Sequence, residues 1–191
     1  MRSPHPLLPC KRKRRLTGGF TIVELMVVVA ILAVLATLAA PSFTPIIERW
    51  RVRQAVEGLQ STLYYARSEA IKRGGKVVLR KIPQGTDGCQ QADLIQAWGC
   101  GWFVFVDTND NGSRQASEEL LQTVPPIRNL DVMRSPSGEF LRFDRFGMAG
   151  ANMQSFTISP VGPGVTSPAT STLCMSSGGR IRVLAGDVVC N

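Results

Sequence analysis

The chain has 191 residues, 44% of them hydrophobic, which is enough for a long helix and one small folded core. Its formal charge of +8 comes from 22 Lys and Arg against 14 Asp and Glu, but the densest bases form the block Lys11 to Arg15. The excess is therefore local, and by itself it is weak evidence for nucleic acid binding. One histidine, His5, leaves almost no inventory for His general bases or His metal ligands, which argues against an enzyme.

The first informative stretch is 12–41, RKRRLTGGFTIVELMVVVAILAVLATLAAP: a basic run, a Gly-Gly pair, then a long apolar segment carrying one acid, Glu24. From Leu25 to Ile47 there is no charged residue or histidine. About 20 apolar helical residues cross a bilayer core, so the segment is long enough to span. The basic block precedes it and nothing comparable follows, which places the N-terminus in the cytoplasm and the rest outside. A secretory signal would have a shorter apolar region with small residues after it; here Gly18 and Gly19 come before it. A carboxylate that far inside an apolar segment is costly, and so marks a function.

The heptapeptide Gly19-Phe20-Thr21-Ile22-Val23-Glu24-Leu25 resembles the prepilin motif of type IV pilins and of the pseudopilins of type II secretion. The resemblance implies that a membrane peptidase cuts after Gly19 and methylates Phe20. It also implies that Glu24, fifth in the mature chain, neutralises the N-terminal amine of a neighbouring subunit during filament assembly. The competing reading is an uncleaved signal anchor with Glu24 as an interfacial charge; it leaves the Gly-Phe junction and the basic leader unexplained together. Cleavage would remove His5, Cys10 and six bases (Arg2, Lys11, Arg12, Lys13, Arg14 and Arg15), leaving 16 bases against 14 acids, about +2. The organisation expected is a leader over 1–19, a membrane and filament-core helix half over 20–47, and a periplasmic or extracellular globular domain over 48–191.

Further along, Phe43, Ile46, Ile47, Trp50, Val56, Leu59, Leu63, Ala66 and Ala70 recur mostly at three- and four-residue steps, while Arg49, Arg53, Glu57, Gln60 and Arg67 take other faces. One helix over 20–73 follows, ended by Gly74-Gly75 and kinked or loosened at Pro41. The apolar stripe should form one wall of the core. Beyond it, segments 76–82, 102–107, 120–124, 140–144, 155–159, 172–175 and 180–184 read as strands separated by Pro, Gly and Ser clusters. The fold class expected is α+β, pilin-like: a long N-terminal helix packed on a C-terminal antiparallel sheet domain. Cys89, Cys100, Cys174 and Cys190 are an even set in a domain placed outside the inner membrane and should pair, with three connectivities open. The pairs lack the close Cys spacing usual in zinc sites.

Two segments carry candidate sites. Asp107, Asn109, Asn111 and Glu118, with Gly112 at the sixth position, meet the spacing of a calcium loop. The flanks read as strands, however, which favours a turn rich in Asn, Asp and Gly over a metal site, and no cofactor is expected. Near the C-terminus, Gly178-Gly179-Arg180-Ile181-Arg182-Val183 places Arg180 and Arg182 on one face of a strand, about 6.6 Å apart, with Ile181 and Val183 toward the core. Two guanidiniums on one face can each engage a phosphate. The bland alternative is a solvated strand edge whose charges discourage aggregation.

The run Trp102 to Asp107 followed by Asn109-Asp110-Asn111-Gly112 resembles the FimT/GspH branch, minor pilins of type IV pili and minor pseudopilins of type II secretion respectively. Gly179, Arg180 and Arg182 match the Gly-Arg-x-Arg element with which FimT-type minor pilins bind DNA in natural transformation. The resemblance implies a non-catalytic filament component whose partners are other pilins or pseudopilins, the prepilin peptidase, the inner membrane and DNA. A pseudopilin of type II secretion is the alternative. A membrane-anchored periplasmic enzyme is a third reading, weakened by the absence of a nucleophile elbow or phosphate loop.

Overall fold

The computed structural model describes residues 19–150 and 152–190, with 38–42 described by backbone alone. Of the expected leader only Gly19 falls among them; His5, Cys10 and the Lys11 to Arg15 block lie outside the described residues. The chain divides into two compact units, Met1–Pro41 and Ser42–Asn191.

Helix α1 (Ile22–Arg73) begins two residues later than its periodicity suggests, and its helical assignment includes Pro41. In the first unit its start is set by Thr21. The Thr21 hydroxyl accepts the Glu24 N–H at 3.2 Å and its carbonyl accepts the Leu25 N–H at 3.1 Å, which satisfies two of the donors a helix N-terminus leaves unpaired. The apolar side chains that follow, including Ile22, Val23, Leu25 and Met26, are exposed. Among the described residues no helix is long and apolar enough to cross a membrane.

In the second unit the buried stripe of α1 is Val52, Ala55, Val56, Leu59, Leu63, Ala66 and Ala70. The upper half of the expected stripe is therefore corrected: Phe43, Ile46, Ile47 and Trp50 are exposed, and Val52 and Ala55 open the buried face instead. Helical spacing alone cannot say where along a stripe the sheets begin to cover it. Leu59 and Leu63, fully buried, are each worth roughly 1.5–3 kcal/mol of apolar transfer. The helix ends where expected. Gly74 and Gly75 take φ of 77° and 105°, and the Gly75 N–H bonds the Ala70 carbonyl at 2.7 Å.

Eight strands follow: β1 (Val77–Lys81), β2 (Trp102–Val106), β3 (Leu120–Val124), β4 (Leu130–Ser135), β5 (Phe140–Phe143), β6 (Gln154–Pro160), β7 (Ser171–Met175) and β8 (Ile181–Ala185). They form two antiparallel four-stranded sheets, in the orders β3-β2-β1-β5 and β4-β6-β7-β8. Both line a shared core with the α1 stripe, through Val77, Leu79, Val104 and Phe143 from the first sheet and Val132, Phe156, Ile158 and Leu173 from the second.

Strand β4 is the element its own sequence conceals. Its inward positions are Leu130, Val132 and Arg134, and a charge at the third breaks the alternation that marks a half-buried strand. Arg134 is buried because its guanidinium lies over the Trp98 ring at 5.5 Å, donates to Gln154 Oε1 at 2.7 Å and to the Phe140 carbonyl at 2.7 Å. Among the described residues no carboxylate pairs with it, and burial pulls its pKa down to about 10.

Segment 89–100 closes against β4. Trp98, fully buried, packs edge-on against Phe156 at 5.4 Å and donates its ring N–H to the Gly138 carbonyl at 2.9 Å. Ala97 bridges to Met133, and the Trp98 and Arg134 amides bond the Val132 and Gln96 carbonyls, so the outer edge of β4 is covered. The Lys81 ammonium, buried, donates to the Ala92, Leu94 and Ala97 carbonyls. The segment's ends are joined by Cys89–Cys100, and the other pair is Cys174–Cys190, which resolves the three open connectivities to the one made of two local bridges. Closing a loop of 11 residues is worth about 3 kcal/mol in the chain-entropy view. The double substitution Cys89→Ser with Cys100→Ser is therefore expected to lower the melting temperature by about 6–12 °C. A thermal melt under non-reducing conditions checks this; an unchanged midpoint would mean that Lys81 and Trp98 hold the segment without the bridge.

Candidate functional site

Of the C-terminal arginine pair, Arg182 sits on β8, the outer strand of its sheet, and Arg180 immediately precedes the strand, which begins one residue later than expected. The hairpin leading into it is tight: the Gly179 N–H bonds the Ser176 carbonyl at 2.8 Å, the Ser176 N–H bonds the Arg180 carbonyl at 3.0 Å, and the Arg180 N–H bonds Ser176 Oγ at 3.2 Å. Gly179 is required by its backbone conformation, and its missing side chain leaves room for a neighbour. Its φ is 82°, and a Cβ there would overlap the guanidinium of Arg67, which comes from α1. Register places Arg182 opposite Cys174 of β7, and Arg180 and Arg182 line one hollow of about 300 Å³ with Met153, Cys174 and Ser176. Both arginines are exposed. Ile181 packs against the core as expected, whereas Val183 is exposed and lines an open hollow between β8 and the Arg49, Val52, Arg53 and Val56 stretch of α1.

The loop between β2 and β3 uses its acidic and amide oxygens internally. Asp107, fully buried, accepts the Asn111 N–H on Oδ1 at 3.1 Å, and on Oδ2 the Gly112 N–H at 2.8 Å and Arg142 Nη2 at 2.9 Å. Asn109 Oδ1 accepts the Asn111 N–H and Asn111 Oδ1 the Ser113 N–H, at 3.1 and 2.7 Å. Glu118, at the twelfth position of the calcium-loop spacing, accepts the Thr108 N–H and hydroxyl on Oε1 and the Gln115 N–H on Oε2. The oxygens that a calcium ion would need are thus committed to amides and to Arg142. Among the described residues no group of three or more His, Cys, Asp or Glu gathers to hold a metal. Four aligned oxygens in sequence read equally as ligands or as turn caps, and the cation that Asp107 meets is a guanidinium from β5.

The Gln115 N–H, and after it the Thr108 hydroxyl and N–H, hold the Glu118 carboxyl below its ordinary range. A carboxylate lowered on folding contributes stability above its unfolded pKa and loses it as pH falls through the folded one. Glu118→Gln is therefore expected to melt below the parent at neutral pH, with the gap closing in acid; melting curves across pH check this, and a gap constant with pH would refute it.

At the other end of the chain, Gly19 and Phe20 precede α1 and are exposed, and Glu24 lies in its first turn. Arg67, which meets the glycine turns at 147 and 179, and Arg142, which holds the loop between β2 and β3, have no motif of their own in the sequence.

Comparison with known proteins bears on the whole chain. A family profile described as "Type II transport protein GspH" matches residues 55–186, and one described as "Prokaryotic N-terminal methylation motif" matches residues 14–40. The pilin-like protein PilA1 of Thermus thermophilus is 31% identical over 170 residues, covering 86% of this chain and 89% of that protein. A fimbrial protein of Pseudomonas aeruginosa is 34% identical over 95 residues, 48% of this chain and 61% of its own length. The crystal structure of the type IV minor pilin FimU from Pseudomonas aeruginosa superposes with a TM-score of 0.56 at 22% identity, over 71% of this chain and 90% of that one, and so shares the fold. With the GspH profile spanning most of the globular domain and a methylation motif ahead of it, the chain belongs to the type IV pilin-like GspH/FimT family, whose members are minor pilins and pseudopilins, structural components rather than enzymes.

Proposed function

We propose that this protein is a minor type IV pilin that is cut after Gly19, methylated on Phe20, registered in the filament through Glu24, and able to hold DNA through Gly179, Arg180 and Arg182. The observation that carries the DNA reading is the arginine pair: both side chains are exposed and line one hollow on an outer strand, entered through a glycine hairpin. Anchoring in the inner membrane with the globular domain in the periplasm rests on the sequence from Phe20 to Ile47 and on the basic block before it, since the described helix alone is not a span. Before assembly, the exposed apolar side chains of Ile22 to Leu35 need lipid, and afterwards other pilins, to cover them.

Two or three phosphate contacts imply weak, salt-sensitive binding, with Kd around 10⁻⁴ to 10⁻⁶ M and a slope of log affinity on log salt near −2 to −3. Avidity from a filament would compensate. Arg180→Ala combined with Arg182→Ala is expected to abolish DNA shifts by the full-length chain in detergent while the melting temperature holds. Binding equal to the parent's would put the DNA site elsewhere or nowhere.

A second reading, a minor pseudopilin of a type II secretion machine, is favoured by the GspH profile over residues 55–186. Deleting the gene separates the two. Loss of piliation or transformation supports the first reading, and loss of protein secretion with both intact supports the second.

A further inference from the structure

The sheet β4-β6-β7-β8 is closed at one edge and open at the other. Beyond β4, Ala97 bridges to Met133 and the segment around Trp98 takes up the outer backbone groups. Strand β8 has no such cover. Its ladder with β7 is phased by a hydrogen bond at each end, from the Ser176 N–H to the Arg180 carbonyl at 3.0 Å and from the Gly186 N–H to the Thr170 carbonyl at 2.7 Å. Bonded pairs recur at every second residue, so Arg182 and Leu184 also turn their backbone groups toward β7, while Ile181, Val183 and Ala185 turn theirs outward. Among the described residues no backbone group of another segment bonds those three.

The open edge borders a hollow of about 340 Å³. Val183, 45% exposed, lines it together with Arg49, Val52, Arg53 and Val56 of α1. Because Ile181 packs on the core, Val183 and Ala185, two and four residues further on, lie on the same helix-facing side of the sheet. Three features thus meet in one place: a row of outward backbone donors and acceptors, an apolar floor of Val52, Val56 and Val183, and two cations. Arg49 and Arg53 are exposed, one helical turn apart, and among the described residues neither pairs with a carboxylate.

We infer that this edge docks an extended segment of a different pilin subunit, which adds a strand to β8 and sets apolar and acidic side chains against α1. The outward backbone row selects an extended main chain, and the valines and arginines select what its helix-facing side carries. A lipid headgroup or a DNA phosphate would answer the arginines but neither the backbone row nor the valines. A second copy of this chain is a poor match. Its other edge strands, β3 and β5, contain no acid, and the acids just before them are already paired, Glu119 with Arg73 and Glu139 with Arg80, both at 2.6 Å. Membership of a family of minor pilins and pseudopilins makes another pilin the neighbour at hand.

The test titrates the full-length chain in detergent into a fluorescein-labelled octapeptide that alternates valine and glutamate on one face and carries threonine on the other. Anisotropy is expected to rise to saturation. Val183→Pro removes an N–H that β7 does not use, so it should keep the parent's melting temperature and weaken the peptide about tenfold. Arg49→Glu combined with Arg53→Glu should weaken it about tenfold as well, and should favour a peptide with lysine in place of glutamate. A second probe works from the peptide's side: N-methylation of alternate residues blocks main-chain pairing and should abolish binding whatever the variant's fold. No saturation with the parent chain overturns the inference, as does an N-methylated peptide that binds like the unmodified one. If phosphatidylglycerol vesicles or duplex DNA bind through Arg49 and Arg53 while the peptide does not, the arginines serve phosphates and the inference is wrong.

Discussion

Glu24→Gln is expected to yield a chain that is processed and membrane-associated but missing from filaments. The carboxylate sits in the first turn of α1 among exposed apolar neighbours, Ile22, Val23, Leu25 and Met26. Once those neighbours are covered by lipid or by other subunits, a bare carboxylate becomes expensive, and under the proposed function the α-amine that cleavage would create on Phe20 of an adjacent subunit would be the cation that relieves it. Removing one partner of a buried ion pair costs about 3–5 kcal/mol, because the other charge is left unpaired. At ~1.4 kcal/mol per decade that is a loss of more than 100-fold in incorporation. Immunoblots of sheared filaments against membranes measure it, and Glu24→Asp should restore part of the signal. Parent-level incorporation of the glutamine variant would mean that register comes from apolar packing alone.

Asp107→Ala should be the most damaging single change in the loop between β2 and β3. Its carboxylate is fully buried and gathers two backbone amides and one guanidinium. Without it, the Gly112 and Asn111 N–H groups lose their charged acceptor, although the Asn109 side chain still reaches the latter. Arg142 loses its buried partner too, but its side chain is 38% exposed, so water covers part of that loss. The net cost is about 3 kcal/mol, a fall of roughly 6–12 °C in melting temperature. Gly112 packs against the Phe140 ring, which a Cβ there would meet at 2.6 Å. Asp107→Asn, which keeps one acceptor oxygen, should fall between parent and alanine. Equal melting of all three would assign the loop's order to Arg80, whose guanidinium bonds the Gly112 carbonyl and Ser113 Oγ from β1.

Legibility in the sequence followed how local each determinant is. The Gly-Phe junction with Glu24, the helix stop at Gly74-Gly75 and seven of the eight strands depend on neighbours in the chain, and they can be read from it. Strand β4 could not be, because Arg134 is tolerated inside only by virtue of Trp98, Gln154 and Phe140, which come from three other segments. The buried stripe was misjudged at its upper end for a related reason. Phe43 and Trp50 have the right spacing, but no strand lies against them.

The candidate sites divide in the same way. Arg180 and Arg182 stand two residues apart at the entry of β8 and line one hollow, a spacing that the sequence determines although the strand itself begins only at Ile181. The pattern Asp107-x-Asn109-x-Asn111 also exists in the sequence, but whether its oxygens face a metal or backbone amides is decided by where β5 places Arg142. The sequence by itself settled the family's N-terminal motif, the long helix and the identity of the arginine pair, since each needs only short-range order along one chain. The tertiary structure decided the pairing of the cysteines, the burial of Arg134 and the meeting of Arg67 with the turns at Gly147 and Gly179. Those depend on contacts between segments far apart in sequence, and only the closing of the core brings them within reach of one another.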